Sequence, residues 1–171
     1  IKAKQLGLRS RAVFKLQEIL EKTKVLKKGS NVVLDIGSAP GGWSELIKSL
    51  SPSSQVFAID LLEMDSIVGV SFFQEDIANI NSIEEIHSLK QNFDLVISDL
   101  APNLSGIRTV DEENIFELNI LTLETAVSYL KKDTGYFVMK TFQNSSLKKL
   151  RLKMEKSFQL VQTYKPAASK S

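Results

Sequence analysis

Hydrophobic positions along the chain follow two alternating patterns, short apolar runs and longer stretches with helical spacing. A run such as Asn31 to Gly37 is almost wholly apolar and ends in an acidic residue and a glycine, a pattern typical of buried parallel strands. Between such runs, apolar residues recur every three or four positions, which predicts amphipathic helices. The predicted strands cover 31–37, 55–60, 69–73, 93–99, 135–142 and 159–164. The predicted helices cover 11–22, capped by Ser10, and 43–50, 82–90, 112–131 and 145–157.

This alternation of strands and helices predicts the fold class. Parallel strands joined through helices form a doubly wound α/β sheet that is covered on both faces and connected by right-handed crossovers. The sequence shows no internal repeat, low-complexity tract or linker, and its 171 residues suit one domain. We therefore expect a single domain over 1–171, in which a basic helical segment, 1–28, precedes the first strand.

The composition excludes several classes of protein. The chain has no cysteine, which excludes disulfides, thiolate nucleophiles and zinc–thiolate centres and is compatible with a reducing compartment. Its single histidine, His87, argues against a Ser-His-Asp triad, and nothing indicates a metal site. No apolar run reaches the roughly 18 residues of a membrane span, and no signal-peptide pattern opens the chain. We expect a cytoplasmic monomer without membrane contact; the alternative compartment is a mitochondrion or another organelle.

The net charge of +2 conceals a segregation of charge along the sequence. Residues 1–28 carry nine Lys/Arg and two Glu, and residues 138–171 carry eight Lys/Arg and one Glu, so each end has a net charge of +7. Residues 29–137 hold five basic and seventeen acidic residues, a net charge of −12. The two basic ends indicate contact with a polyanion, whereas the alternative is solvated, lysine-rich helix faces without a ligand.

Acidic residues stand where several predicted strands end. Asp35, Asp60, Asp76 and Asp99 occupy such positions, and Lys140 lies near the end of the fifth predicted strand. Ligands of open α/β sheets bind outside the carboxyl ends of the strands, so these side chains are the candidates for a functional site. Aspartate also caps helices that follow strands, which is the structural alternative for each residue alone.

The loop after the first strand, DIGSAPGGW at 35–43, is rich in glycine, which permits a tight turn and close approach of a ligand. It is not the dinucleotide fingerprint, because Ala39 takes the second glycine position and Pro40 lacks an amide that could hold a pyrophosphate. It also lacks the ending of a P-loop. The loop favours a nucleoside cofactor without phosphates and argues against a nicotinamide-dependent oxidoreductase. Asp60 lies 23 residues after Gly37, near the offset at which an acid binds ribose hydroxyls.

Five sequence blocks, in order along nearly the whole chain, resemble the FtsJ/RrmJ family. They are GLRSRAVFKL at 7–16, VLDIGSAPGGWS at 33–44, AIDLLEMD at 58–65, SDLAPNLSG at 98–106 and GYFVMKTF at 135–142. Members are S-adenosylmethionine-dependent RNA ribose 2′-O-methyltransferases with a Rossmann-like, mostly parallel sheet, and the resemblance implies the same fold, cofactor and reaction here. The blocks look most like the branch that modifies large-subunit ribosomal RNA, with a uridine as the expected target. A tRNA-modifying branch is the alternative.

Family positions carried over one by one imply where the cofactor binds. The resemblance places the methionine and ribose part of S-adenosylmethionine against Gly41, Gly42 and Trp43. It also implies that Asp60 accepts hydrogen bonds from the ribose hydroxyls and Asp76 from the adenine amino group.

Lys15, Asp99 and Lys140 match three of the four members of the family's Lys-Asp-Lys-Glu catalytic set. The resemblance implies that Asp99 lies beside both the cofactor's methyl group and the target ribose, and that Lys140 receives or steers the proton of the 2′-hydroxyl. Both roles of Lys140 stay open, because Lys15 and Asp99 would shift its pKa in opposite directions. The segments that match the glutamate and the family's final antiparallel strand would follow Ser171. We therefore expect this chain to be a piece of a longer one.

RNA, most simply ribosomal RNA in the large subunit, is the partner that the resemblance implies. Its phosphates would contact basic residues near both ends of the chain, which give affinity without sequence specificity. These residues are Arg9, Arg11, the lysines of 22–28, Lys148, Lys149, Arg151, Lys153 and Lys156. A non-catalytic RNA-binding factor of ribosome assembly is the alternative, because the match to the catalytic glutamate is missing.

Overall fold

Residues 13–100 and 102–165 are described by a computed structural model of the protein. Within these residues, five strands form the sheet: β1 (Val32–Ile36), β2 (Gln55–Asp60), β3 (Val70–Gln74), β4 (Leu95–Ser98) and β5 (Tyr136–Met139). Five α-helices accompany them in the same part of the chain: α1 (Val13–Thr23), α2 (Gly42–Leu50), α3 (Glu84–His87), α4 (Arg108–Tyr129) and α5 (Leu147–Glu155). A 3-10 helix, Ile77–Ser82, lies between β3 and α3.

The sheet is parallel in every pairing, with the strand order β3-β2-β1-β4-β5. Leu34 of β1 pairs with Phe57 of β2 on one side and with Val96 of β4 on the other. The chain runs outward from β1 to β3 and then returns to the other side of β1, so the winding reverses between β1 and β4. At such a reversal the loops diverge and leave a crevice at the carboxyl ends of the strands. The predicted α/β fold is confirmed.

Helices cover both faces of the sheet because successive residues of each buried strand point to opposite sides. Leu34 belongs to an apolar cluster that includes Ala126 of α4 and residues of the 3-10 helix. Its neighbour Val33 belongs to a second cluster, which includes Leu16 of α1 and Ile47 of α2. The site at the carboxyl edge is therefore built on a sheet that is fixed from both faces.

The strand predicted over 159–164 is wrong. The segment pairs with no strand of the described chain, and Leu160 in it is exposed. Arg151 of α5 donates hydrogen bonds to the carbonyl oxygen of Val161 at 2.8 Å and to the hydroxyl of Thr163 at 2.9 Å. A side chain of the preceding helix thus satisfies a backbone group that a neighbouring strand would otherwise bind.

Helix boundaries also differ from the apolar pattern. The helix predicted over 82–90 is the four-residue α3, which follows the separate 3-10 helix. Helix α4 begins at Arg108 rather than at residue 112. The apolar pattern missed its first turn because those residues are largely exposed and show no apolar periodicity. The predicted cap Ser10 lies outside the described residues. None of the helices that the structure describes is long and apolar enough to cross a bilayer.

Candidate active site

The glycine-rich loop connects β1 to α2 across the carboxyl edge of the sheet. Its first residue, Gly37, has a φ of 75°, and its amide donates to the carbonyl oxygen of Ile59 in β2 at 2.8 Å. A Cβ atom at position 37 would lie 2.6 Å from Cδ2 of Leu100, which follows β4, so the positive φ and this close approach both favour glycine. Gly41, with a φ of 113°, turns the chain into α2. The loop is therefore packed closely against the strand ends on both sides of β1.

Asp60 ties this loop to the end of β2. Its Oδ2 accepts a hydrogen bond from the amide of Ala39 at 2.8 Å, and its Oδ1 accepts one from the amide of Leu62 at 2.9 Å. Its carbonyl oxygen accepts a third from the amide of Glu75, after β3, at 3.0 Å. Each carboxylate oxygen has a lone pair left for a further donor. Asp60 therefore shapes the loop and can still bind a hydroxyl.

Asp76, for which the resemblance implies a contact with adenine, caps the 3-10 helix. Its Oδ1 accepts a hydrogen bond from the amide of Ala78 at 2.9 Å. This is the structural role expected of an aspartate at the end of a strand. A carboxylate in a cap can accept another hydrogen bond, and the adenine contact stays a prediction.

Asp35 is buried between the sheet and α2. Its Oδ2 accepts a hydrogen bond from the hydroxyl of Ser44 at 2.6 Å. Burial raises the pKa of Asp35 to about 7; the hydrogen bond from Ser44 opposes this rise, and the charges of Asp99 and Asp60 add to it. Three carboxylates at the ends of β1, β2 and β4 therefore interact, and this part of the edge is acidic.

Three buried polar atoms at the loop have no hydrogen-bond partner among the residues that the structure describes. They are Oδ1 of Asp35, Oγ of Ser38 and Nε1 of Trp43. An unpartnered buried polar atom costs free energy, so such atoms are uncommon unless water or a ligand completes them. An acceptor, a hydroxyl and an N–H donor are thus left for water or a ligand at the loop. The sequence does not single out Ser38, because a small polar loop residue gives no sign of its burial.

Asp99 and Lys140 form an ion pair where β4 and β5 end. Nζ of Lys140 lies 3.2 Å from Oδ1 of Asp99, and the two side chains are 40% and 26% exposed. Burial raises the pKa of Asp99, although the charge and hydrogen bond of Lys140 and the charge of Lys15 oppose the rise. The structure thus brings together the three residues that match the catalytic set. Their catalytic roles stay predictions.

A cavity of about 810 Å³ adjoins Lys140, between α1, β5, α5 and residues 160–165. Lys15, Lys22, Lys140 and Arg151 stand among its lining residues. Most of its other lining residues are apolar, so these basic side chains are the part of the cavity that can contact the phosphates of a nucleic acid.

Exposed lysines extend the positive charge along α5. Lys148, Lys149, Lys153 and Lys156 all face solvent. The two arginines near the N-terminus, for which RNA contacts are predicted, lie outside the described residues. Across 13–100 and 102–165, no group of three or more His, Asp or Glu side chains is arranged to hold a metal ion.

Two bacterial relatives resemble this chain over most of its length. It is 42% identical over 168 residues to ribosomal RNA large subunit methyltransferase E of Neisseria gonorrhoeae, a match that covers 96% of this chain and 81% of the relative. It is 39% identical over 166 residues to the protein of the same name from Buchnera aphidicola, with 95% of this chain and 78% of the relative covered.

Solved structures and a family profile agree with these matches. A chain from Plasmodium falciparum, provisionally assigned as a ribosomal RNA methyltransferase, superposes with a TM-score of 0.83 at 29% identity, covering 94% of this chain and 92% of that one. The fibrillarin/Nop5p complex matches with a TM-score of 0.57 at 17% identity over 86% of this chain and 72% of that one, a likeness of fold alone. The profile of the FtsJ-like methyltransferases matches residues 8–171. With its parallel sheet, glycine-rich loop and acidic carboxyl edge, the chain belongs to the FtsJ-like methyltransferase family.

Proposed function

We propose that this protein transfers the methyl group of S-adenosylmethionine to a ribose 2′-hydroxyl of RNA, with a uridine of large-subunit ribosomal RNA as the expected target. The observation that carries the proposal is the ion pair between Asp99 and Lys140 at the edge of the sheet that also holds the glycine-rich loop. The names of the bacterial relatives support ribosomal RNA as the substrate class. The ribose hydroxyl as the methyl acceptor is what the resemblance to the FtsJ/RrmJ family implies, and the pair is compatible with it.

The buried polar atoms of the loop fit the methionine part of the cofactor. Oδ1 of Asp35 can accept a hydrogen bond from an ammonium group, and Oγ of Ser38 and Nε1 of Trp43 can donate to a carboxylate. Asp60 can accept hydrogen bonds from a ribose diol through the lone pairs that its backbone contacts leave. When bound, S-adenosylmethionine supplies an electrophilic methyl group on a sulfonium, whose positive charge the acidic edge favours.

Asp99 and Lys140 provide what a hydroxyl nucleophile needs. A ribose hydroxyl is a poor nucleophile at neutral pH, so a base that takes its proton or a cation that stabilises its developing negative charge accelerates attack. Asp99 holds Nζ of Lys140 at the carboxyl edge, and the charge of Lys15 also reaches this carboxylate. Lys140 can act as the proton acceptor or as the stabilising cation, and in both roles Asp99 orients it.

The division of charge around the pair supports an RNA substrate. The side towards β1 and β2 carries the carboxylates of Asp35 and Asp60. The side towards α1 and α5 carries Lys15, Lys22 and Arg151 at the cavity and the exposed lysines of α5. A cationic cofactor is favoured on the first side and a phosphate backbone on the second.

Mass-spectrometric mapping of ribose methylation tests this function. Unmodified large ribosomal subunits are incubated with the protein and S-adenosylmethionine, and ribosomal RNA from cells with and without the protein is mapped in parallel. We expect one 2′-O-methylated nucleotide that depends on the protein. Methylation of a base would overturn the ribose assignment, and methylation of tRNA alone would overturn the ribosomal substrate. Binding to the subunit without transfer would indicate the non-catalytic assembly factor.

A further inference from the structure

Asn119 of α4 is a buried polar residue whose hydrogen bond leaves the helix. It lies on the side of α4 that faces the core and is 6% exposed. On the same helix, the buried hydroxyls of Thr122 and Thr125 donate back to carbonyl oxygens one turn earlier. Asn119 instead donates through Nδ2 to Oγ1 of Thr141 at 2.8 Å. The bond joins the helix to the segment that follows β5.

Thr141 directly follows Lys140, at the point where the hydrogen bonds of the sheet end. The amide of Lys140 donates to the carbonyl oxygen of Ser98 at 2.9 Å, and residues 140–144 have no regular secondary structure. The bond from Asn119 therefore holds the chain on the C-terminal side of Lys140, beyond the last hydrogen bond of the sheet.

We propose that Asn119, acting through Thr141, is a positioning residue that sets how Lys140 approaches Asp99. The inference rests on the proposed function, in which this ion pair is catalytic. A buried amide costs free energy unless it is hydrogen-bonded, and an apolar side chain would pack at this place without that cost. The bond keeps the backbone of Lys140 in place, and a displacement of about 1 Å at a reacting group can lower a rate by up to a hundredfold.

The charges around Asp99 make this positioning measurable. Lys140 faces Asp99 from the end of β5, Lys15 from α1, and Asp35 from β1. Of these three groups, Lys140 alone lies on the segment that Thr141 anchors. If that segment moves away, Asp99 loses the nearer of the two cations that lower its pKa, and the pKa of Asp99 rises.

Three threonine variants test the inference in the full-length protein. Thr141→Val keeps the shape of the side chain and removes its hydroxyl, and we expect kcat to fall about tenfold with the KM for S-adenosylmethionine unchanged. The acidic limb of the pH–rate profile should move to higher pH. Thr141→Ser keeps the hydroxyl and should retain the rate and the profile. Thr125→Val, the matched control, removes a buried hydroxyl of α4 that has no bond to the Lys140 segment, and should leave kcat unchanged.

A carbon-13 NMR titration of the Asp99 carboxyl gives a readout that needs no catalysis. Thr141→Val should raise the pKa of Asp99, whereas Thr141→Ser and Thr125→Val should not. If the wild type methylates RNA and Thr141→Val matches it in rate and titration, the positioning role is wrong and the proposed function stands. If the wild type transfers no methyl to RNA but Thr141→Val shifts Asp99, the positioning role stands and the proposed function fails. An equal loss of rate in Thr141→Val and Thr125→Val, with no shift at Asp99, would indicate a packing defect and overturn the inference.

Discussion

The two ends of β4 carry aspartates in similar pairs with opposite properties. Asp94, just before the strand, has Nζ of Lys131 at 2.9 Å, and Asp99, just after it, has Nζ of Lys140 at 3.2 Å. The two lysine side chains are 41% and 40% exposed, and the side chains of Asp94 and Asp99 are 9% and 26% exposed. Nevertheless the pKa of Asp94 is lowered and that of Asp99 is raised.

A second hydrogen-bond donor at Asp94, together with the charges of Lys131 and Lys27, contributes to this difference. Burial works to raise both pKa values, but at Asp94 the hydrogen bonds from Lys131 and from the amide of Val32, 2.8 Å from Oδ2, outweigh it. Asp99 receives no comparable backbone donor from the residues that the structure describes. A carboxylate whose two oxygens both accept hydrogen bonds within the protein has a structural role, whereas one with an unoccupied oxygen can also bind a ligand or take part in a reaction.

The largest expected effect is on methyl transfer, and it should separate the two pairs. Lys140→Ala and Asp99→Ala should each lower kcat by about 10²–10⁴-fold, the range for loss of a proton-transfer group. Lys131→Ala, the matched change at the other end of β4, should keep most of the rate. Transfer of labelled methyl groups to ribosomal subunits measures both. If Lys131→Ala lowers kcat as much as Lys140→Ala does, the two ends of β4 do not differ in their importance for catalysis.

The next effect concerns the pH dependence of stability at the carboxyl edge. The pKa of Asp35 is about 7 in the folded protein against an ordinary 3.8, so between these values the folded state keeps a proton that the unfolded chain has lost. Stability should therefore fall as the pH rises from about 4 to about 7, by up to about 1.4 kcal/mol per pH unit from this group. Asp35→Asn should remove that slope in urea unfolding at a series of pH values. A slope unchanged in Asp35→Asn would assign it to other groups.

A smaller effect should appear in the free energy of unfolding at neutral pH. Asp94→Ala leaves the amide of Val32 without its acceptor and should cost about 1–3 kcal/mol. Asp99→Ala leaves no backbone group without its hydrogen-bond partner and should change the free energy of unfolding by less than about 0.5 kcal/mol. Urea unfolding of both variants gives the comparison directly. Equal losses would mean that both ends of β4 are structural.

The smallest effect tests the bond between Ser44 and Asp35. Ser44→Ala removes a hydrogen bond that lowers the pKa of Asp35, so that pKa should rise further and the free energy of unfolding should fall by about 1 kcal/mol. Ser38→Ala is the control, since its hydroxyl has no partner among the described residues and its loss should not destabilise the protein. An NMR titration of Asp35 together with urea unfolding measures both. Equal destabilisation by the two variants would contradict the assigned bond.

The apolar runs were sufficient to predict the five strands of the sheet and the edge at which their carboxyl ends meet. Parallel strands bring their carboxyl ends together, so the sequence could predict that Asp60, Asp99 and Lys140 share one edge. The strand predicted over 159–164 failed because a strand also needs a partner, and the side chain of Arg151 binds the backbone there instead.

The contacts that distinguish the two ends of β4 could not be predicted from a single sequence. The amide that binds Asp94 belongs to Val32, on the neighbouring strand, and depends on the register of β1 against β4. The bond between Asn119 and Thr141 likewise depends on the position at which α4 packs against the sheet. Residue type shows that these groups can form hydrogen bonds, but only the packed structure shows with which partner.

The lack of space at Gly37 links two halves of the site that are distant in sequence. Leu100 fills the volume that a side chain at position 37 would need, and Leu100 is the covalent neighbour of Asp99. A side chain at position 37 would therefore displace Leu100 as well as strain its own turn. Under the proposed function, we therefore expect a substitution at Gly37 to disturb both the loop that would bind the cofactor and the acid that would lie beside the nucleophile.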